Sequence, residues 1–291
     1  MKKLTLFMLL FLIIMFPMPS FSQSDDQSND QVILQRAEIE QYALDYTGGI
    51  YIDDGKLNGL MNMIEKKVYQ APENAFLDEN GQIVEEETGV TIDRSKFDIM
   101  FREAFYNDEI LRLKVPKRTI YPRVDRAMME EISKKELGSY VTNFRKTNVE
   151  RSHNIELAAE AINNHVLFPG ETFSFNEVVG ERTEEKGYKR APVIVRGELS
   201  EGIGGGICQV SSTLFNAVDL KGVQIVERYA HSRRVPYVPP GRDATVSWWG
   251  PDFVFKNLYN EPILIRALVR NGSMIVKIMS TETAEYFQGD D

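Results

Sequence analysis

Gly204-Gly205-Gly206-Ile207-Cys208-Gln209-Val210-Ser211-Ser212-Thr213 is the stretch on which the reading of this chain turns. Glycines at 202, 204, 205 and 206 permit close backbone approach and positive φ. The spacing of Val210, Leu214, Phe215 and Val218 then predicts a helix over 208–218 that starts at the only cysteine of the chain. Around this helix lie short strand candidates at 172–175, 192–196, 224–229, 244–249, 254–257, 263–269 and 274–279. A second helix is predicted over 154–164, ahead of the Pro169-Gly170 turn. This half of the chain therefore reads as β-rich, with a helix beginning at the cysteine.

The N-terminal half has a different pattern. Near-helical apolar spacing at 32–43 and 57–68 is followed by a hairpin about the Asp78-Glu79-Asn80-Gly81 turn and by a further strand at 87–92. Asp93 is a good N-cap for a helix through Phe97, Met100, Phe101 and Phe105, and 110–115 alternates as a half-buried strand. The expected class is α+β throughout. The expected organisation is an α+β module at 32–125, a helical connector at 126–144, a β-rich domain at 145–280 and a tail at 281–291.

The first residues predict export. Lys2-Lys3 is a basic n-region, 4–16 is an apolar stretch, and Ser20 and Ser22 supply small residues at the −3 and −1 positions, which reads as a signal peptide over 1–22. The alternative is an uncleaved anchor, but an apolar run of about 13 residues is shorter than the roughly 20 that span a bilayer. A polar stretch at 23–31 without apolar periodicity is expected to be a flexible tether. The expected localisation is extracytoplasmic, with membrane contact only through the leader.

Composition narrows the function classes. With 43% hydrophobic and 26% charged residues the chain is an ordinary globular protein. A formal net charge of −9 opposes binding to nucleic acid or other polyanions. A lone cysteine makes no intramolecular disulfide, so in an exported protein it calls for a reactive, ligand or core explanation.

The reactive explanation has partners within the sequence. A helix N-terminus favours the thiolate, the nucleophilic form of Cys208. His231 follows the strand candidate after the helix and can serve as general base, and Asp243, with Asp252 behind it, can orient that imidazole. Backbone N–H groups after the glycine run and the Gln209 amide are candidate oxyanion donors. Gln209, Ser211, Arg233, Arg234, Tyr237 and Arg242 form the candidate binding set, with Arg228, Trp248 and Trp249 near them in sequence. Arginines suit carboxylates, and aromatic faces suit sugar rings. The competing explanation is a small buried thiol on a packing helix, with His231 a surface turn residue. One cysteine and three scattered histidines give no paired metal-ligand spacing, and the glycines lack the Lys-Ser/Thr of a phosphate loop, so no metal or cofactor is implied.

Several longer motifs occur in one order: Phe168-Pro169-Gly170-Glu171-Thr172-Phe173-Ser174-Phe175-Asn176, Gly187-Tyr188, Ala191-Pro192, the glycine–cysteine stretch, Tyr229-Ala230-His231-Ser232, and Tyr237-Val238-Pro239-Pro240-Gly241-Arg242-Asp243-Ala244-Thr245-Val246. Together they resemble the VanW family over roughly residues 145–270. The 74–122 stretch more weakly resembles the peptidoglycan-binding domain that precedes VanW domains and some L,D-transpeptidase domains. The resemblance implies an envelope protein linked to vancomycin resistance and places Cys208, His231 and Asp243 within shared motifs. It carries no settled activity. Two functions are thus expected: action on peptidoglycan stem peptides by cysteine-dependent acyl transfer or amide hydrolysis, or non-catalytic binding of peptidoglycan, its precursors or an envelope protein partner.

Overall fold

The computed structural model describes residues 33–45, 48–110, 112–195 and 198–287. The leader and tether expected at 1–31 lie outside the described residues, as do the last four of the tail. In chain order the first elements are β1 (Ile33–Gln35), α1 (Arg36–Glu40), α2 (Asp54–Val68), β2 (Phe76–Leu77), β3 (Ile83–Val84), β4 (Gly89–Ile92), α3 (Arg94–Tyr106), β5 (Arg112–Lys114) and β6 (Lys117–Ile120). Then come α4 (Arg126–Ile132), β7 (Lys135–Asn143), α5 (Val149–Ile162), β8 (His165–Leu167), β9 (Thr172–Ser174) and α6 (Phe175–Val179). The last are β10 (Arg190–Val195), β11 (Glu198–Ile203), α7 (Ile207–Val218), β12 (Val223–Glu227), β13 (Val254–Asn257), β14 (Ile263–Arg270) and β15 (Ser273–Ser280). The mixture is α+β, as the sequence predicts.

The described residues form two compact units, those up to 72 with those of 88–121, and 73–87 with those from 122 onward. In the first, α2 and α3 begin at aspartate caps: the Asp53 and Asp93 side chains accept from Lys56 N and Lys96 N, each at 3.0 Å. Their apolar faces, Leu57, Leu60 and Ile64 on α2 and Phe97 and Phe101 on α3, share one core with Leu34 and Leu113 from the β1–β5 pair.

The second unit is built on a four-stranded antiparallel sheet in the order β7-β15-β14-β8. Both faces of β14 are covered, which explains its nearly continuous apolar sequence. Ile263, Ile265 and Ala267 face a core shared with Val210, Leu214, Val218, Phe253 and Phe255. Leu264 faces a smaller cluster with Leu77, Val124, Met129 and Ile132. Each fully buried Leu or Ile in these clusters contributes about 1.5–3 kcal/mol. A second sheet, β12-β13-β9, stacks Phe255 on Phe173 at 4.9 Å between ring centroids.

Three segments differ from expectation. The hairpin β2–β3, read as part of a 32–125 module, folds with the second unit. Its carbonyls satisfy a buried guanidinium on β14, since Arg266 donates from Nη1 to Leu77 O at 2.7 Å and from Nη2 to Asp78 O at 2.8 Å. The 126–144 stretch, expected as a helical connector, is helical only over α4 and continues as β7, an edge strand that pairs with β15 along its whole length. The charged, helix-favouring run stops at Leu137, and the Tyr140-Val141-Thr142 segment that follows suits a strand paired to β15. The 244–249 stretch is not a strand but a loop held by a single antiparallel bridge, Tyr229↔Thr245.

Candidate active site

That bridge assembles the site. The register pairing Tyr229 with Thr245 places His231 opposite Asp243, two residues along each segment. The Asp243 segment is fastened to α7 by two serines on the first turns of the helix. Ser211 Oγ donates to Ala244 O at 2.6 Å, and Ser212 Oγ accepts from Ala244 N at 3.0 Å. Asn216 Nδ2 adds a bond to Arg242 O at 2.8 Å. The sequence following Cys208 therefore docks the aspartate-bearing segment onto the cysteine-bearing helix.

Asp243 Oδ2 accepts from both the backbone N–H and the Nδ1 of His231, each at 2.6 Å. The two side chains are 10% and 5% exposed. With Nδ1 committed, Nε2 is the ring nitrogen left for the thiol, and His231 and Cys208 line the same cavity. The direct neighbours of Cys208 Sγ are Val246 O at 3.5 Å and Thr245 Oγ1 at 3.8 Å. Burial pushes the Cys208 thiol up, but hydrogen bonding and charge from His231, helped by the Val246 backbone and Thr245, outweigh it and hold the thiol below its ordinary range. Burial likewise pulls the His231 imidazole down, and its interactions with Cys208 and Asp243 bring it above its usual value. Burial would raise the Asp243 carboxyl, but the two His231 donors hold it below the usual carboxylate range. These are the directions that favour a thiolate–imidazolium pair backed by a carboxylate. At the start of α7, Ile207 N–H is bonded to Gly204 O and Gln209 N–H to Gly206 O, whereas Cys208 N–H has no backbone acceptor among the described residues.

Cys208 and His231 open onto a cavity of about 1150 Å³. Its walls include Tyr237, Trp248, Trp249, Val193 and Ile203, together with the arginines 145, 151 and 182. Burial and the charge of Cys208 push the Tyr237 phenol far above its ordinary value, so it is a proton donor at the cavity wall. The glycine run has a physical reason. A Cβ at Gly204 would meet the Arg182 stem at 3.3 Å, and one at Gly206, which has φ +109°, would meet Arg151 Cγ at 2.9 Å. Asn154 clamps the run, with Nδ2 donating to Gly205 O at 3.0 Å and Oδ1 accepting from Lys189 N at 2.8 Å. Asn176, at the end of the Phe-Ser-Phe-Asn motif, holds the tryptophan loop through Ser247 O and Pro251 O and accepts from Arg182 Nη2 at 2.8 Å.

Of the sequence-predicted residues, Cys208, His231 and Asp243 come together, and Gln209 and Tyr237 line the same cavity. Four others are placed elsewhere. Ser211 is fully buried against Ala244 O. Arg242 is turned towards Asn216 and Asp219. Arg233 and Arg234 are exposed on the 232–234 turn and do not line the cavity. Gln209 is not a free oxyanion amide either, because its Nε2 is bound by Thr142 Oγ1 and Asn143 O and its Oε1 accepts from Arg151 at 2.7 Å. Asp252, held in reserve as an orienter, caps Ser174 and Asn176 instead. Sequence reading does not single out Arg151 or Arg182. Among the described residues no group of three or more His, Cys, Asp and Glu side chains is placed to hold a metal ion. No helix among them is long and apolar enough to cross a membrane.

A cysteine at a helix start, backed by a His–Asp pair on a bridged loop and facing a cavity, defines a thiol-centred α+β domain. Residues 150–279, which contain the whole constellation, match the family described as VanW like protein. The uncharacterized protein YoaR of Bacillus subtilis (strain 168) is 54% identical over 243 residues, covering 84% of this chain and 80% of that protein. The vancomycin B-type resistance protein VanW of Enterococcus faecalis (strain ATCC 700802 / V583) is 33% identical over 109 residues, 36% of this chain and 40% of that protein. The chain belongs to the VanW-like family. No solved structure matches it.

Proposed function

We propose that this protein is an exported cell-envelope enzyme that cleaves or exchanges amide bonds in peptidoglycan stem peptides, with Cys208 as nucleophile. The observation that carries the reading is that Cys208 and His231 line one cavity while Asp243 holds the His231 imidazole. In the reaction the Cys208 thiolate adds to an amide carbonyl, and the developing oxyanion takes a hydrogen bond from Cys208 N–H. The C–N bond then breaks as imidazolium His231 gives its proton to the leaving amine, leaving a thioester. Water or a second amine, deprotonated by His231, attacks the thioester and releases the thiol, giving hydrolysis or transfer respectively. Asp243 fixes the imidazole orientation and supports its positive form.

The envelope setting is supported by the signal-peptide pattern of 1–22 and by the name of the enterococcal relative. The aromatic walls at Trp248, Trp249 and Tyr237 suit a ligand that carries sugar as well as peptide. The 74–122 stretch is proposed to contribute wall binding on the basis of its sequence resemblance. The test is incubation of the mature protein and its Cys208→Ala variant with muropeptides, read by mass spectrometry. New products from the wild type alone support the reading. Tight muropeptide binding with unchanged ligand in both proteins would mean that the cavity recognises wall peptides without chemistry.

A further inference from the structure

The cavity beside Cys208 is positively charged. The arginines 145, 151 and 182 line it together with His231, against one carboxylate, Glu181. Arg182 is the least satisfied of these groups. Its Nη2 is bonded to Asn176 Oδ1, while its Nη1 is fully buried with no hydrogen-bond partner. The nearby carboxylate of Asp252 is occupied by Ser174 Oγ at 2.6 Å, Asn176 N at 2.9 Å and Phe253 N at 2.7 Å. Arg151 is fixed from behind by Gln209 Oε1. Among the described residues neither Arg151 nor Arg182 forms a salt bridge.

The charges of Cys208 and, for Arg182, Asp252 partly offset these guanidinium groups, but the buried Nη1 of Arg182 has no acceptor, which costs free energy unless a ligand supplies one. Both arginines nevertheless line the cavity that Cys208 lines. Both guanidinium groups also lie within electrostatic reach of the Cys208 sulfur. An anion held by them would therefore share the cavity with the nucleophile.

We infer that Arg151 and Arg182 form a carboxylate-binding subsite that places a peptide carboxylate beside Cys208. The inference rests on the cysteine-enzyme reading for the direction of attack, but carboxylate binding itself does not require turnover. The carboxylate is either the chain terminus, in which case the attacked amide is at the C-terminal end of the peptide and a terminal amino acid or short peptide leaves as the amine, or an acidic side chain next to the attacked bond. The planar, bidentate guanidinium suits either source.

Two measurements test the subsite. The first compares alkylation of Cys208 by iodoacetate and iodoacetamide; both form an S–C bond with loss of iodide, and only the first carries a carboxylate. One or two hydrogen bonds to a charged group predict an iodoacetate-to-iodoacetamide rate ratio above that of a free thiol by on the order of 10- to 100-fold. That excess should collapse in Arg182→Gln and in Arg151→Gln, each first checked for folding by its thermal transition. A ratio equal to that of a free thiol, or one unchanged in both variants, overturns the subsite. The second measures binding of acetyl-Ala-Ala, its C-terminal amide, and an amidated peptide with an internal glutamate to full-length Cys208→Ala protein by calorimetry. Binding of either carboxylate-bearing peptide at least tenfold tighter than the simple amide supports the subsite and identifies the source of the carboxylate. Equal affinity for all three overturns it. A thiol inert to both reagents would count against the nucleophile alone, with the calorimetry still deciding the subsite.

Discussion

Replacing Asp243 by Asn is expected to turn Cys208 from an activated thiol into a nearly ordinary one. In the wild type one carboxylate oxygen accepts two His231 N–H groups at 2.6 Å between side chains that are 5% and 10% exposed, so water contributes little screening. A hydrogen bond to a charged group contributes about 1.5–3 kcal/mol, and about 1.4 kcal/mol corresponds to one pH unit. Loss of the carboxylate charge should therefore lower the imidazolium pKa by about one to two units. A thiolate–imidazolium pair at this site would open as pH rises through the lowered thiol value and close as pH rises through the raised imidazole value. In Asp243→Asn the closing limb should move down and the opening limb up, so the window narrows from both sides. The assay is the second-order rate of iodoacetamide reaction at Cys208 as a function of pH. The wild type should show a reactive shoulder below the pH at which free thiols ionise, and the variant should lose most of it. Superimposable profiles for the two proteins, or a wild-type profile matching a free thiol, would refute the coupling.

Other perturbations separate the parts of the site. Gly206→Ala places a Cβ at φ +109° and 2.9 Å from Arg151 Cγ, and should cost about 2 kcal/mol or more in urea unfolding; no loss would contradict the account of the glycine run. Ser212→Ala strands the buried Ala244 N–H and should cost about 1–3 kcal/mol while also lowering Cys208 reactivity, because the Asp243 segment loses its anchor. The Asp243 carboxyl is depressed in the folded state, so its contribution to stability is complete above the unfolded carboxylate pKa and is lost as pH falls through the folded value. Thermal melts on acidification should thus fall more steeply for wild type than for Asp243→Asn. Alanine at Arg233 or Arg234, both exposed away from the cavity, should change stability by no more than about 0.5 kcal/mol.

The site residues that sequence reveals are those whose reason is local. The glycine run, the amphipathic start of α7 and the motif-borne His231 and Asp243 all carry their signal within a few residues. Arg151 and Arg182 carry none, because an arginine in a charged run becomes a buried cavity cation only through packing by Asn176, Gln209 and the glycines. Ser211 shows the opposite case. Its position beside the cysteine suggests ligand contact, yet its hydroxyl is used to dock the Asp243 segment. The same distinction applies to the fold. The cap at Asp93 and the strand expected at 263–269 follow from local sequence, while β7 is a strand because β15 pairs with it and the β2–β3 hairpin is held in the second unit by Arg266.

The most direct test of the central claim is rapid-quench intact-mass analysis of the wild-type protein mixed with stem-peptide muropeptides. The account predicts a transient mass increase equal to the acyl portion of the peptide, mapped to Cys208, absent in Cys208→Ala and reduced in Asp243→Asn. Product formation that proceeds equally in wild type and Cys208→Ala, with no adduct on the thiol, would contradict it.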